Sequence, residues 1–197
     1  MGFKGLTVNR PEDEDPHIYA ENDAAIYQAI LGDGDMLLNY GDCFSMVSTS
    51  YNSIQVSSGL LAVQGHMGVI EIGDTAELTL SNGTSGVTRN DLVVARFTTT
   101  GNHGEDTFTL AVLTGGSDGS DPTYTAEDLN DGGKTREFPI ARVTMNGLNI
   151  SAIEMLVEPA TCMKDLLHAL NERISYGTTQ PTASMGEDGD IYIMYEA

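Results

Sequence analysis

Tryptophan is absent, cysteine occurs twice, and nine lysines and arginines stand against 29 aspartates and glutamates. Each scarcity excludes something. Cys43 and Cys162 lie far apart with no C-x-x-C partner. That fits neither a disulfide framework nor a zinc site, so both are expected as reduced thiols packed as small hydrophobes. A formal charge of −20 repels phosphate backbones and anionic lipid, so neither nucleic acid nor a membrane surface is an expected partner. No run approaches the roughly 18–20 apolar residues of a membrane helix. The opening MGFKGLTVNR has no apolar core behind a basic patch, so it does not read as a secretory signal and no membrane insertion is expected.

What the chain does have is β punctuation. Hydrophobic residues make up 40% of the 197, enough for a real core, and 22 glycines fall between runs of Val, Ile, Thr and Leu. Strands are predicted over 36–40, 53–57, 60–63, 67–72, 76–80, 91–99, 107–113, 138–145, 150–156 and 190–195. Asn82-Gly83, Asn146-Gly147 and the segment 101–104 supply turn chemistry between them. In the run after Glu105, Phe108, Leu110 and Val112 share one face and Thr107, Thr109 and Ala111 the other, the period of a half-buried strand. Residues 115–134 are polar, rich in Gly and Asp, and predict a long surface loop with a role outside the core. The acidic run 11–16 predicts a solvated loop, and 17–31 allows a helical turn or two.

Near the end, 160–175 is the best helical stretch. Met163, Leu167, Leu170 and Ile174 recur at spacings of four, three and four, after Pro159 and a Thr161 suited to capping. The stripe fits a short helix packed on its own sheet, and it also fits a parallel bundle around a threefold axis. A Thr/Pro/Ser linker then leads to a final strand, GDIYIMYEA, whose aromatic alternation suits a hairpin or an intersubunit partner. The expected fold is mainly β, an antiparallel β-sandwich or barrel with one short C-terminal helix and a terminal β segment. Its division is a β-rich domain over 1–158 and a helix, linker and strand over 159–197.

Motifs of catalysis are thin. Gly115-Gly116-Ser117-Asp118-Gly119 matches G-x-S-x-G, but a nucleophile elbow needs a helix directly behind it and Ser-Asp-Pro follows. Gly133-Lys134-Thr135 lacks the first glycine of a phosphate loop, where Asp128 stands, and Leu37 replaces the third glycine of a dinucleotide fingerprint begun at Gly32. His17, His66, His103 and His168 show no zinc spacing. The pairs Asp33/Asp35, Asp118/Asp121 and Asp188/Asp190 lack the EF-hand pattern, so no cofactor is expected, a structural calcium being the one metal for which the chain has ligands in number.

Several phrases, in order, carry a resemblance: GFKGLTV, then PHIYAENDAAIYQAILGDG, then IQVSSGLLAVQGHMGVIEIGDTAELTLSNGTSGVTRNDLVVARFTTT, then PIARVTMNGLNI and a Glu-Pro pair. Over about residues 16–159 the chain resembles tailed-phage structural proteins of the tail, baseplate or receptor-binding region, as found in phages and prophages of Gram-positive gut bacteria. The ending GTTQPTASMGEDGDIYIMYEA resembles short closing segments of phage fibres and adhesins. The resemblance implies a virion component made in the bacterial host cytoplasm, without enzymatic activity. It further implies a homotrimer among other tail or baseplate proteins, with Met163, Leu167, Leu170, Ile174, Ile191 and Ile193 as candidate interface. Arg89, Asn90 and Asp91, which match the family phrase, read first as a local ion pair and turn cap.

Two competitors remain. A carbohydrate-binding tip on a host surface glycan would use Tyr19, Tyr51, Tyr124 and Tyr192 in place of the missing tryptophan, and requires that they share a groove. A hydrolase would require a cleft with two carboxylates about 5–10 Å apart.

Overall fold

The runs of Val, Ile and Leu between glycines become strands because each can bury one pleated face while Gly and Asn reverse the chain between them. A computed structural model describes residues 2, 4–5, 19–101, 104–182 and 189–196. The acidic run 11–16, His17, His103 with the centre of the 101–104 turn, and much of the linker before the last strand lie outside the described residues. The chain divides into two compact units, Met1–Ala160 and Thr161–Ala197.

In chain order the first unit contains Lys4–Gly5 (β1), Ala20–Leu31 (α1), Met36–Leu38 (β2), Met46–Ser48 (β3), Ser53–Val56 (β4) and Gly59–Val63 (β5). His66–Ile70 (β6), Ala76–Thr79 (β7), Thr88–Thr99 (β8) and Asp106–Leu113 (β9) follow. Thr135–Asn146 (β10), Asn149–Met155 (β11) and Pro159–Ala160 (β12) complete it. The strands form three sheets, ordered β1-β6-β5-β2-β12, β3-β4-β7 and β11-β10-β8-β9. All pairings in them are antiparallel except β12 on β2. The protein is mainly β, a β-sandwich-like body of antiparallel sheets with a short helix and strands at its C-terminal end.

The long β8–β10 pair is the spine. Its register runs from Thr88↔Asn146 to Thr98↔Thr135 and slips between Pro139 and Ala141, where Ile140 is the extra residue of a bulge. One face of this pair builds two clusters. Ala95, Phe97 and Ile140 pack with Leu37, Leu61, Val63 and Ile70 of the first sheet and with Phe108, while Val93, Ala141, Val143 and Met145 pack with Ile54 and Leu80. Burying a side chain of this size stabilises by about 1.5–3 kcal/mol. Phe44, itself at φ 55°, reaches the first cluster by lying on Gly59, where a Cβ would sit 2.4 Å from its ring.

Differences from the sequence expectations are local. The helix after residue 17 runs three turns and packs on β6. Strands β1, β3 and β12 are too short to leave a periodic signal. Residues 159–160, expected with the C-terminal region, belong to the first unit as a strand on β2.

The second unit holds Met163–Arg173 (α2), Ile174–Gly177 (β13) and Ile191–Met194 (β14). β13 and β14 pair in parallel, with Ile174 opposite Ile191 and Tyr176 opposite Ile193. The helix begins after Cys162, with no side-chain cap from Thr161. It ends before the β-branched Ile174, which enters the strand instead of closing the helical stripe.

Candidate functional site

Three features stand out once the residues are followed upward from the strands. The first concerns the scarce cations. Arg89, Arg96, Arg136 and Arg142, all on β8 and β10, each meet a carboxylate: Asp91 at 2.8 Å, Glu137 at 2.6 Å, Asp35 at 2.8 Å, and Asp121 together with Glu154. Asp91 is fully buried and takes both Nε and Nη2 of Arg89, while Arg89 also donates to the carbonyls of Ser81 and Asn82. The local ion pair anticipated at Arg89 and Asp91 is present. Asn90 points the other way and donates to Gly119 O and Asp121.

The second feature is residues 115–134. They run as a strap that is tied down at several points. Asp121 accepts from Arg142 Nε at 2.7 Å. The Thr125 N–H donates to Glu137 Oε2 at 2.7 Å, and the Glu137 N–H donates back to Thr125 O at 2.7 Å. Ala126 bridges Arg136, so the strap occupies the edge of β10 that β11 leaves uncovered. Glu127 accepts the N–H groups of Lys134 and Thr135. Asp128 accepts from Gln64 Nε2 at 2.9 Å, and Gln64 Oε1 accepts the Leu129 N–H at 2.8 Å.

Gln64 sits at φ 41° in the tight β5–β6 turn. Its carbonyl accepts from Gln28 of α1 and its N–H donates to Asp35, so this one residue joins helix, hairpin and strap. Sequence reasoning missed it. The available signal was Gln64-Gly65 between two apolar strands, a hairpin turn with an uncommon first residue.

These contacts hold several carboxyls below their ordinary range. Arg142 does so for Asp121 against the opposing effect of burial, the Lys134 and Thr135 amides for Glu127, the Gln64 amide for Asp128, and the Ser120 side chain for Asp118. The same pairing raises Arg142 further above its usual range.

Between the strap and the end of β11 lies a groove of about 500 Å³. Pro122, Tyr124 and Ala126 form one wall, Leu156 and Val157 line it, and Leu92, Phe138 and Pro139 belong to its surface with Asp35, Asp121, Arg136 and Glu137. Tyr124 is 49% exposed. The tyrosines weighed as ligand-facing do not come together here. Tyr19 precedes α1, Tyr51 is exposed at the β3–β4 turn, and neither lines this groove; Tyr192 is on β14 of the second unit. They fall apart because α1 packs at the hairpin end of β6, whereas the β3–β4 turn bonds to Leu80 and Asn82.

The third feature is the second unit itself. None of its described residues is buried. Met163, Leu167, Leu170, Ile174, Ile191 and Ile193 are all exposed, and so are Leu166, Tyr176 and Met194, which the spacing rule passed over. Leu166 is the informative omission. With it, 163, 166, 167 and 170 make the full i, i+3, i+4, i+7 stripe of an amphipathic helix.

Other motifs find ordinary settings. After Ser117 the chain makes a turn, and the next helical residues are the single 3-10 turn at Leu129–Asp131. His66 is buried and stacks on Phe97 at 3.9 Å, and His168 faces Glu172 one turn along α2. Cys43 packs at the first cluster, whereas Cys162 sits at the start of α2 and donates its Sγ–H to the Asp165 carboxylate at 3.0 Å instead of packing as a core residue. Among the described residues, no three His, Cys, Asp or Glu side chains are grouped to hold a metal ion, and no helix is long and apolar enough to cross a membrane. Comparison of the chain with protein-family models and with curated proteins found no match.

Proposed function

We propose that the protein is a non-enzymatic structural component of a tailed-phage virion, forming or anchoring part of the tail-fibre or baseplate receptor-binding apparatus. In this reading it assembles as a homotrimer through residues 161–197, next to other tail or baseplate proteins. The sequence phrases given above support the first part. The second is carried by one observation: a unit with an amphipathic helix and an apolar strand pair that buries none of its described residues.

The physical case for self-association is direct. Stretches shorter than roughly 40 residues seldom stabilise themselves without disulfides, metals or oligomerisation. Parallel strands are normally covered on both faces, yet here both Ile174 and Tyr176 of β13 and Ile191 and Ile193 of β14 are exposed. Three copies of α2 around an axis would bury Met163, Leu166, Leu167 and Leu170 against each other, as apolar stripes do in parallel bundles.

Light scattering on the full chain tests this. The expected mass is about 63 kDa, three times the 21.0 kDa chain. The double variant Leu166→Glu/Leu170→Glu is expected to return a single chain. A single chain for the unaltered protein across the accessible concentration range would refute self-association. A second reading, a tip that contacts a host-surface glycan directly, draws on the groove beside Tyr124 and needs no oligomer.

A further inference from the structure

We infer that the groove between the strap and the end of β11 is a binding subsite for a neutral sugar ring, a pyranose of a glycan. The inference deepens the glycan-contact reading and stands on the first unit alone, independently of self-association.

The first argument is charge. Each charged residue lining the groove already has a partner: Asp35 with Arg136, Asp121 with Arg142, Glu137 with Arg96. An anionic ligand would face three carboxylates, and a cationic one would compete with arginines already bonded at hydrogen-bond distance. A neutral polyol leaves the pairs intact. Carboxylates offer about four acceptor positions each, so hydroxyl donors find sites beside the arginines.

The second argument is shape and chemistry. A volume of about 500 Å³ falls in the usual 300–1,000 Å³ of small-ligand sites. The half-exposed ring of Tyr124 offers a flat apolar face on which a pyranose C–H face can lie, and Leu156 adds apolar surface to the same groove. The polar groups are distributed along the groove: Asp121 is held by Arg142 and Asp35 by Arg136, six residues apart on β10.

The third argument is order. Tyr124 precedes a residue clamped from both sides, since Thr125 gives its N–H to Glu137 and its carbonyl takes the Glu137 N–H. A backbone fixed beside the ring before binding loses little freedom on contact. The same clamp argues against an extended peptide. The β10 edge beneath is taken by Thr125 at one end and by the Leu156 N–H on Ile140 O at the other, and Pro139 between them has no N–H.

Saturation-transfer NMR on the full-length protein tests the inference, with maltotriose, mannotriose and tri-N-acetylchitotriose as neutral probes and sialyllactose as the acidic one. At least one neutral trisaccharide is expected to receive saturation at millimolar concentration. Tyr124→Ala is expected to weaken that binding by about tenfold, Tyr124→Phe to retain it, and Tyr51→Ala to leave it unchanged. Thermal unfolding of each variant controls for folding. The inference is overturned by no transfer to any neutral probe, by stronger transfer to sialyllactose, or by binding that survives Tyr124→Ala. A trimer that binds none of the sugars defeats this inference and leaves the assembly proposal standing, whereas a monomer that binds them does the reverse.

Discussion

Leu61, Phe97 and Val143 are sealed from solvent in residues 1–160, whereas Leu167, Leu170 and Ile193, comparably apolar, stand about half exposed in residues 161–197. The contrast extends to charge. In the first unit scarce arginines are bonded to chosen carboxylates, one of them wholly buried; in the second the Arg173–Asp190 contact is a loose 3.6 Å. What differs is the supply of partner surface. The first unit places three sheets and a strap around shared side chains, while the second offers one helix and two strands with nothing of their own to close against.

The comparison breaks most easily in the first unit. Phe97→Ala removes a ring that touches both His66 and Phe108, and is expected to cost about 3–5 kcal/mol, read as a lower denaturant midpoint. A cost below about 1 kcal/mol would mean that Phe97 is not packed in the core. Next comes Asp91→Ala, which leaves Arg89 in place without its carboxylate. Removing one partner of a buried pair costs about 3–5 kcal/mol, and the bonds that Arg89 keeps to the Ser81 and Asn82 carbonyls put the expectation at the lower end.

A smaller effect sharpens the picture of the strap. Asp121, Glu127 and Asp128 have folded-state pKa values below their ordinary 3.8, 4.5 and 3.8. Their contribution is therefore complete above those ordinary values and is lost as pH falls through the depressed ones. Hydrogen-exchange protection of the Asn130, Lys134 and Thr135 amides should drop on acidification before that of β8. Simultaneous loss would mean that the strap is not a separate layer. Arg142→Gln, at a partly exposed pair, is expected to cost no more than about 1 kcal/mol.

The smallest effect is expected where the sequence is most apolar. Leu167→Ser should change the unfolding free energy of the first unit by less than about 0.5 kcal/mol, measured at protein concentrations low enough for single chains. A large change there would show that the two units share a core.

Much of the β framework was legible because strand periodicity and turn chemistry are local. Phe108, Leu110 and Val112 alternate within one strand, Asn146-Gly147 turns β10 into β11, and the 163–170 stripe marks α2 without reference to any other segment. The candidate groove was legible only in fragments. Tyr124 was recognised as able to face a ligand, but its neighbours Asp35, Arg136 and Leu156 are distant in sequence and no pattern announces them. Leu166 was passed over because a rule of alternating four and three selects one seam of a stripe that is wider.

The sequence by itself determined composition, charge, the β class and the places where the chain turns, since each depends on a residue and its near neighbours. Tertiary structure alone decided that a polar loop becomes a strap, that Arg142 chooses Asp121 and Glu154, that Gln64 joins three elements, and that β13 lies parallel to β14. Those outcomes are pairings between distant segments. They exist only once the sheets have brought the segments together, because a hydrogen bond needs its two groups within about 3 Å and no local pattern encodes which distant segments meet.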